Sequence, residues 1–351
     1  MRRVAINGRF LVRRQTGQER FAKQTVKYLD KIADSGQYTL VVPNEYHEAI
    51  NLRNICVVRY GNTRSHTWEQ VDFARYILKK NMIGINLCTT HPLLRPDIVC
   101  IHDICYKVNP QFYRTMYGRL SMIWHRVNYW FAAKLAKQIL TVTEVSRKEI
   151  ASVYHVDLKR ITVVPNGWEH IIDVVPDDSI TDEMPQIKLD EYFVTIGSLM
   201  PQKNIGWILA AAKTNPEKQF VIVGRASTSE YGDAIGIELP KNIITTGYLR
   251  DGQLKYLLLH CRALIFPSIY EGFGIPPLEA LALGKEAIVA NCSCMPEIYG
   301  NSVHYLDPAN PNVNIEDLMR TPIESADMVL QKYRYENTAK TINNIVQSMM
   351  K

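Results

Sequence analysis

The sequence predicts two consecutive doubly wound α/β domains with a ligand held in the cleft between them, and three observations lead there. The chain has 351 residues, more than one hydrophobic core comfortably organises. Strand-like runs alternate with helical patterns from end to end. Several of those runs are continuously apolar, as parallel strands buried on both faces must be.

In the first half, the runs Arg3–Ile6, Thr39–Val42, Cys56–Arg59, Ile83–Leu87, Ile98–Ile101, Gln138–Val142 and Ile161–Val164 read as strands. Helical patterns fall between them at Arg20–Ala33, Trp68–Lys80, Pro110–Ala136 and Ser146–Tyr154, with Asn109 placed to cap the third ahead of Pro110. The second half repeats the scheme at Tyr192–Gly197, Gln219–Val223, Ile243–Thr246, Ala263–Pro267, Ala287–Ala290 and Val303–Leu306. The stretch Ile172–Asp190 contains Pro176, Pro185 and many acidic residues, and reads as a linker or domain edge. The expected division is 1–170, 171–325, and a terminal helical pattern, 326–351, that could pack back on the first domain.

Composition narrows the function classes. At 46% hydrophobic and 22% charged residues, it is that of a soluble globular protein. No apolar run approaches the roughly 18 residues of a membrane span, and the start reads as a short strand rather than a signal peptide. The seven cysteines lack metal-ligand spacing and read as reduced thiols of a cytoplasmic protein. Charge is unevenly spread. Residues 1–165 hold 26 Lys+Arg against 12 Asp+Glu, a net of +14, while the remainder carries −8. The basic half suits an anionic partner such as membrane headgroups or a lipid pyrophosphate. No nucleic-acid module accompanies it. No Gly-x-Gly-x-x-Gly follows the first strand, which argues against a Rossmann dehydrogenase.

The segment from Ile265 to Gly284 carries the most chemistry. A buried strand ends at Pro267, a loop with Gly272 and Gly274 follows, and a helix with prolines in its first turn runs to Gly284. Glycines let backbone N–H groups approach a ligand, and a helix N-terminus suits a phosphate. Glu271 in the loop and Glu279, expected in the first helical turn, are eight positions apart, so both carboxylates can address the hydroxyls of one sugar-containing ligand.

This stretch resembles the E-x7-E signature of family 4 glycosyltransferases, whose fold is GT-B: two Rossmann-like domains facing each other across a donor/acceptor cleft. The resemblance extends over nearly the whole chain, through Asn7-Gly8-Arg9, Thr16-Gly17-Gln18-Glu19-Arg20-Phe21-Ala22, Trp68-Glu69-Gln70, Ile101-His102-Asp103, Val164-Pro165-Asn166-Gly167, Gly197 to Asn204, Gly247-Tyr248-Leu249 and Met295-Pro296-Glu297-Ile298. It points to a bacterial polysaccharide subgroup of mannosyl- and rhamnosyltransferase-like enzymes. The resemblance implies a catalytic set of Glu271 on the donor sugar, His102 near the acceptor and Lys203 on the diphosphate. It implies donor contacts from Gly17, Ser198, the amides of Gly272, Phe273 and Gly274, and Glu279 on the ribose. Where the family commonly has an arginine beside the diphosphate, this chain has Ser198 and Gln202, and Arg225 is a candidate substitute.

The implied activity is retaining, metal-independent hexosyl transfer from a nucleotide-sugar, which is a substrate, so no cofactor is expected. The implied acceptor is a glycan or polyprenyl-diphosphate-linked oligosaccharide in O-antigen or capsule assembly. The alternatives are a sugar-nucleotide epimerase of the same fold or a donor-site-degenerate, non-catalytic partner. The pattern at Pro110–Ala136, with Tyr113, Met116, Tyr117, Leu120, Trp124, Val127, Trp130 and Phe131, reads first as a core-facing helix. A second reading is an interfacial helix on an anionic membrane.

Overall fold

The computed structural model describes residues 3–224 and 239–350. It divides into two units, one of Met1–Gly167 with Tyr333–Lys351 and the other of Trp168–Lys332.

In the first unit, β1 (Val4–Asn7), β2 (Tyr38–Val42), β3 (Cys56–Arg59), β4 (Ile83–Asn86), β5 (Ile98–Cys100), β6 (Gln138–Thr141) and β7 (Ile161–Val163) form a parallel sheet of order β3-β2-β1-β4-β5-β6-β7. In the second, β8 (Tyr192–Ile196), β9 (Gln219–Val223), β10 (Ile243–Gly247), β11 (Ala263–Phe266), β12 (Ala287–Ala290) and β13 (His304–Leu306) follow the order β10-β9-β8-β11-β12-β13, again parallel. Both sheets are of the Rossmann type. The expected strands match the observed ones closely because their apolar runs are buried, as Val4, Ala5 and Ile6 in β1 and Leu264, Ile265 and Phe266 in β11 show. Trp207, Ile208, Ile222 and Ile288 fill the second unit's core, and Tyr129, Ala132, Ile139 and Ile161 part of the first's.

Each order reverses once, between β1 and β4 in the first unit and between β8 and β11 in the second. Connections leaving neighbouring strands there run to opposite faces, which opens a crevice at the strands' carboxyl ends.

Four local expectations are corrected. The 110–136 pattern is broken: a 3-10 turn, Pro110–Phe112, precedes a helix Met116–Leu135 that starts anew where the Thr115 side chain accepts from Gly118 N–H. Asn109 does not cap with its side chain, which accepts from Gln111 instead. The acidic stretch after Ile172 is a domain edge rather than a linker: it contains a short helix, Ser179–Glu183, and lies in the second unit, where Asp177 holds Arg250 at 2.9 Å. The terminal pattern is two helices, Asp327–Lys332 in the second unit and Tyr335–Met350 in the first. The latter stacks Tyr335 on Tyr28 and takes the Tyr38 hydroxyl on Asn343 at 2.8 Å.

Candidate functional site

At the second unit's switch point the loops after β8 and β11 are stapled together. Gly197 ends the first strand's run, and a 3-10 turn, Pro201–Lys203, follows. Asn204 then adopts a left-handed conformation, φ +51°, and its amide donates to the carbonyls of Pro267 at 3.2 Å and Pro308 at 3.0 Å. The Ile269 N–H donates to the Gln202 carbonyl at 2.8 Å. The Pro201–Lys203 turn is therefore fixed against the loop that carries Glu271.

This stapling brings Lys203 and Glu271 together. The Lys203 ammonium lies 2.5 Å from the Glu271 carboxylate, with both side chains partly exposed, and the Ser268 hydroxyl donates to the same Oε1 at 2.7 Å. The ammonium also sits 5.4 Å from the centre of the Phe266 ring. A cation and an anion at this separation neutralise one another, and water keeps both accessible to a ligand bearing phosphate and hydroxyls.

The carbonyls of Glu271, Phe273 and Gly274 are tied to the segment Ser293–Tyr299. Glu271 C=O accepts from the Ser293 hydroxyl at 3.1 Å, Phe273 C=O from the Cys294 thiol at 3.5 Å, and Gly274 C=O from the Tyr299 hydroxyl at 2.5 Å. In a trans peptide the N–H points opposite to its own C=O. The N–H groups of Gly272, Gly274 and Ile275 thus point away from that segment. Gly274 begins the Ile275–Ala282 helix at φ +81°, and a Cβ there would lie 2.5 Å from the Met295 methyl. Only glycine fits.

Glu279 lies in the second helical turn rather than the first. Its carboxylate is buried and bonded to the imidazole Nε2 of buried His170 at 2.6 Å. His170 sits 109 residues upstream, so no local pattern announced it. Ser198 lies in the loop beyond Gly197, half-buried. Arg225 lies outside the described residues.

In the first unit, Gly17 is exposed and opens the Gly17–Ile32 helix. The next residue, Gln18, accepts from the Thr89 hydroxyl at 3.2 Å, tying the helix start to the loop beyond β4. His102, two residues past β5, is buried edge-on against Phe21, with ring centres 4.9 Å apart. Its Nε2 lies 2.9 Å from the Leu87 carbonyl, so that nitrogen carries the proton and Nδ1 is the acceptor. Burial pushes its pKa down to about 4, with the Leu87 bond opposing, so the ring is neutral at pH 7.

A buried polar cluster also occupies this unit's switch point. Asn7, the last residue of β1, donates to Glu69 at 2.7 Å and to Asn86, the last residue of β4, at 2.9 Å. Arg9 lies 3.5 Å from the Glu69 carboxylate and donates to the Thr90 hydroxyl at 2.7 Å. Burial alone would raise the Glu69 pKa, but Arg9 and bonds from His66, Asn7 and Thr90 outweigh it and hold it at about 2. Sequence reading marked Asn7-Gly8-Arg9 and Trp68-Glu69-Gln70 as resembling family text and assigned them no role. Among the described residues, no three His, Cys, Asp or Glu side chains gather as a metal site requires, and no helix is long and apolar enough to cross a membrane.

The chain is similar to several known proteins. The family described as Glycosyl transferases group 1 matches residues 179–334. The O-antigen chain mannosyltransferase RfbU of Salmonella typhimurium is 27% identical over 74% of this chain and 72% of its own length. The O-antigen chain mannosyltransferase B of Escherichia coli is 27% identical over 81% of this chain and 78% of its own. Among solved structures, Anabaena Alr3699/HepE in complex with UDP-glucose superposes with a TM-score of 0.70 at 15% identity, covering 99% of this chain and 100% of that one. Residues 179–334 are a glycosyl transferases group 1 domain, and the two parallel sheets of the chain have the GT-B fold of that solved neighbour.

Proposed function

We propose that this glycosyltransferase moves a hexose of mannose or rhamnose type, with retention of anomeric configuration and without a metal, from a nucleotide-sugar to a glycan or polyprenyl-diphosphate-linked oligosaccharide in surface polysaccharide assembly. The observation that carries this reading is the pairing of Lys203 with Glu271 beside the Gly272–Gly274 amides at a switch point. The names of the two O-antigen relatives support the sugar and the pathway class, and the UDP-glucose complex of a structural neighbour supports the donor class.

In this reading the diphosphate separates Lys203 from Glu271 and takes the ammonium, while the carboxylate accepts from sugar hydroxyls. The acceptor hydroxyl attacks on the face from which the nucleotide departs, and the leaving phosphate oxygen takes its proton. Lys203 and the loop amides stabilise charge as it develops, and the protein otherwise positions the reactants. Ser198 contributes to the diphosphate contacts. Gly17 and neutral His102 belong to the first unit, which we assign to the acceptor.

Incubating the enzyme with nucleotide-activated mannose or rhamnose and a lipid-linked acceptor tests this, with the product's anomeric configuration read by NMR. An α-linked product from an α-linked donor is expected. Conversion of the donor without acceptor would assign an epimerase, and absence of any nucleotide-sugar binding would assign a non-catalytic partner.

Glu279 is assigned the ribose hydroxyls, with His170 orienting its carboxylate. The variant His170→Ala should raise the donor KM roughly tenfold to a hundredfold, the effect of one hydrogen bond to a charged group, with kcat nearly unchanged. An unchanged KM removes His170 from the site.

A further inference from the structure

The Met116–Leu135 helix is apolar on two faces, and among the described residues only one of them is packed into a core. Tyr129, Ala132 and Ala133 are buried against the first unit's core. At helical spacing on the side turned away from them lie Met116, Tyr117, Leu120, Ile123, Trp130 and Leu135, each 50% to 83% exposed. The sequence pattern had assigned most of these residues to the core, and the structure corrects that assignment. Monomeric soluble proteins seldom expose a contiguous apolar stripe of this length.

Charge says what covers it. From Ile104 to Thr143 there is no Asp or Glu, while Lys107, Arg114, Arg119, Arg126, Lys134 and Lys137 lie in that span. Of these, Lys137 pairs with Asp97 at 3.1 Å. The other five have no acidic partner among the described residues. Arg126 is held against the Tyr106 carbonyl at 2.8 Å, which leaves its charge in place. An apolar stripe carrying Trp and Tyr and flanked by uncompensated cations complements the interfacial zone of an anionic bilayer: the rings and aliphatic side chains enter the headgroup–acyl boundary and the cations meet lipid phosphates. A protein partner would need a matching acidic groove, whereas a bilayer presents both features on one continuous plane.

We infer that this helix docks the chain flat on an anionic phospholipid surface, with Met116, Leu120, Ile123 and Trp130 inserted and Arg119 and Lys134 at headgroup depth. The inference is independent of the donor site, because its readout is binding rather than transfer.

Co-sedimentation of the full chain with vesicles tests it. Binding to mixed phosphatidylglycerol–phosphatidylcholine vesicles should exceed binding to pure phosphatidylcholine by roughly tenfold or more, since each cation near the surface contributes a factor of about five. The triple variant Leu120→Gln/Ile123→Gln/Trp130→Gln, at exposed positions that leave the fold intact, should lose most of that binding. Arg119→Gln/Lys134→Gln should lose the preference for anionic lipid. Equal binding by wild type and triple variant, or no preference for anionic vesicles, overturns the inference. So does a solution dimer, detected by light scattering, that dissociates on Leu120→Gln, because the stripe would then belong to a second copy.

Discussion

Lys203→Ala should lower kcat for sugar transfer by roughly two to three orders of magnitude, the usual loss when one group aimed at developing charge is removed. The effect on folding should be small. Lys203 is about a quarter exposed and its ion pair with Glu271 is open to solvent, and such pairs contribute about 0–1 kcal/mol. Glu271→Gln tests the other half of the pair: it keeps the shape and the Ser268 contact but removes the anion. It should impair turnover while raising affinity for the free nucleoside diphosphate, because Lys203 no longer has a competing partner. Steady-state kinetics beside thermal melts separate the two effects. Activity within threefold of wild type in both variants would remove the pair from the proposed mechanism.

Glu69→Ala should destabilise the first unit by about 3–5 kcal/mol, because it leaves the buried Arg9 guanidinium without its counter-charge. Replacing both partners by apolar residues should recover much of that loss, since a well-packed apolar pair avoids desolvating two charges. Urea denaturation of the single and double variants makes the comparison, and a single variant as stable as wild type would contradict it. Buried titratable groups of this unit set the response to acid. Burial holds His102 and His125 neutral, with pKa values near 4, below the ordinary histidine value, so the unfolded chain takes up protons first. Stability should therefore fall as pH drops from about 6.5 towards 4. Glu69, held at about 2, contributes stability that is present above the ordinary carboxylate range and is lost as pH falls through that range to 2.

Strand positions were legible because a parallel strand between two helical layers must be apolar throughout, and each such run is short and bounded by loops. The glycine loop with Glu271 and Gly274 was legible for a similar reason, since its constraint is local: one φ of +81° and one methionine against it. Long-range pairings were not. Nothing near Glu279 in sequence names His170, and nothing near Arg9 names Glu69, because those contacts exist only once the switch points are built. The break at Tyr113–Thr115 was missed because the apolar periodicity runs through it, while the Thr115 cap that restarts the helix looks like any polar residue. The apolar stripe from Met116 to Leu135 misled for a physical reason: periodicity reports that a face is apolar, not what it meets.

The path of the chain also orders its synthesis. The first unit is left at Gly167 and re-entered at Tyr333, so the second unit is an insertion within it. Tyr28 and Tyr38, near the start of translation, meet Tyr335 and Asn343 only after every residue of the inserted unit has left the ribosome. The half begun first is thus the half completed last, and until then the ground beneath its final helix stays open to solvent.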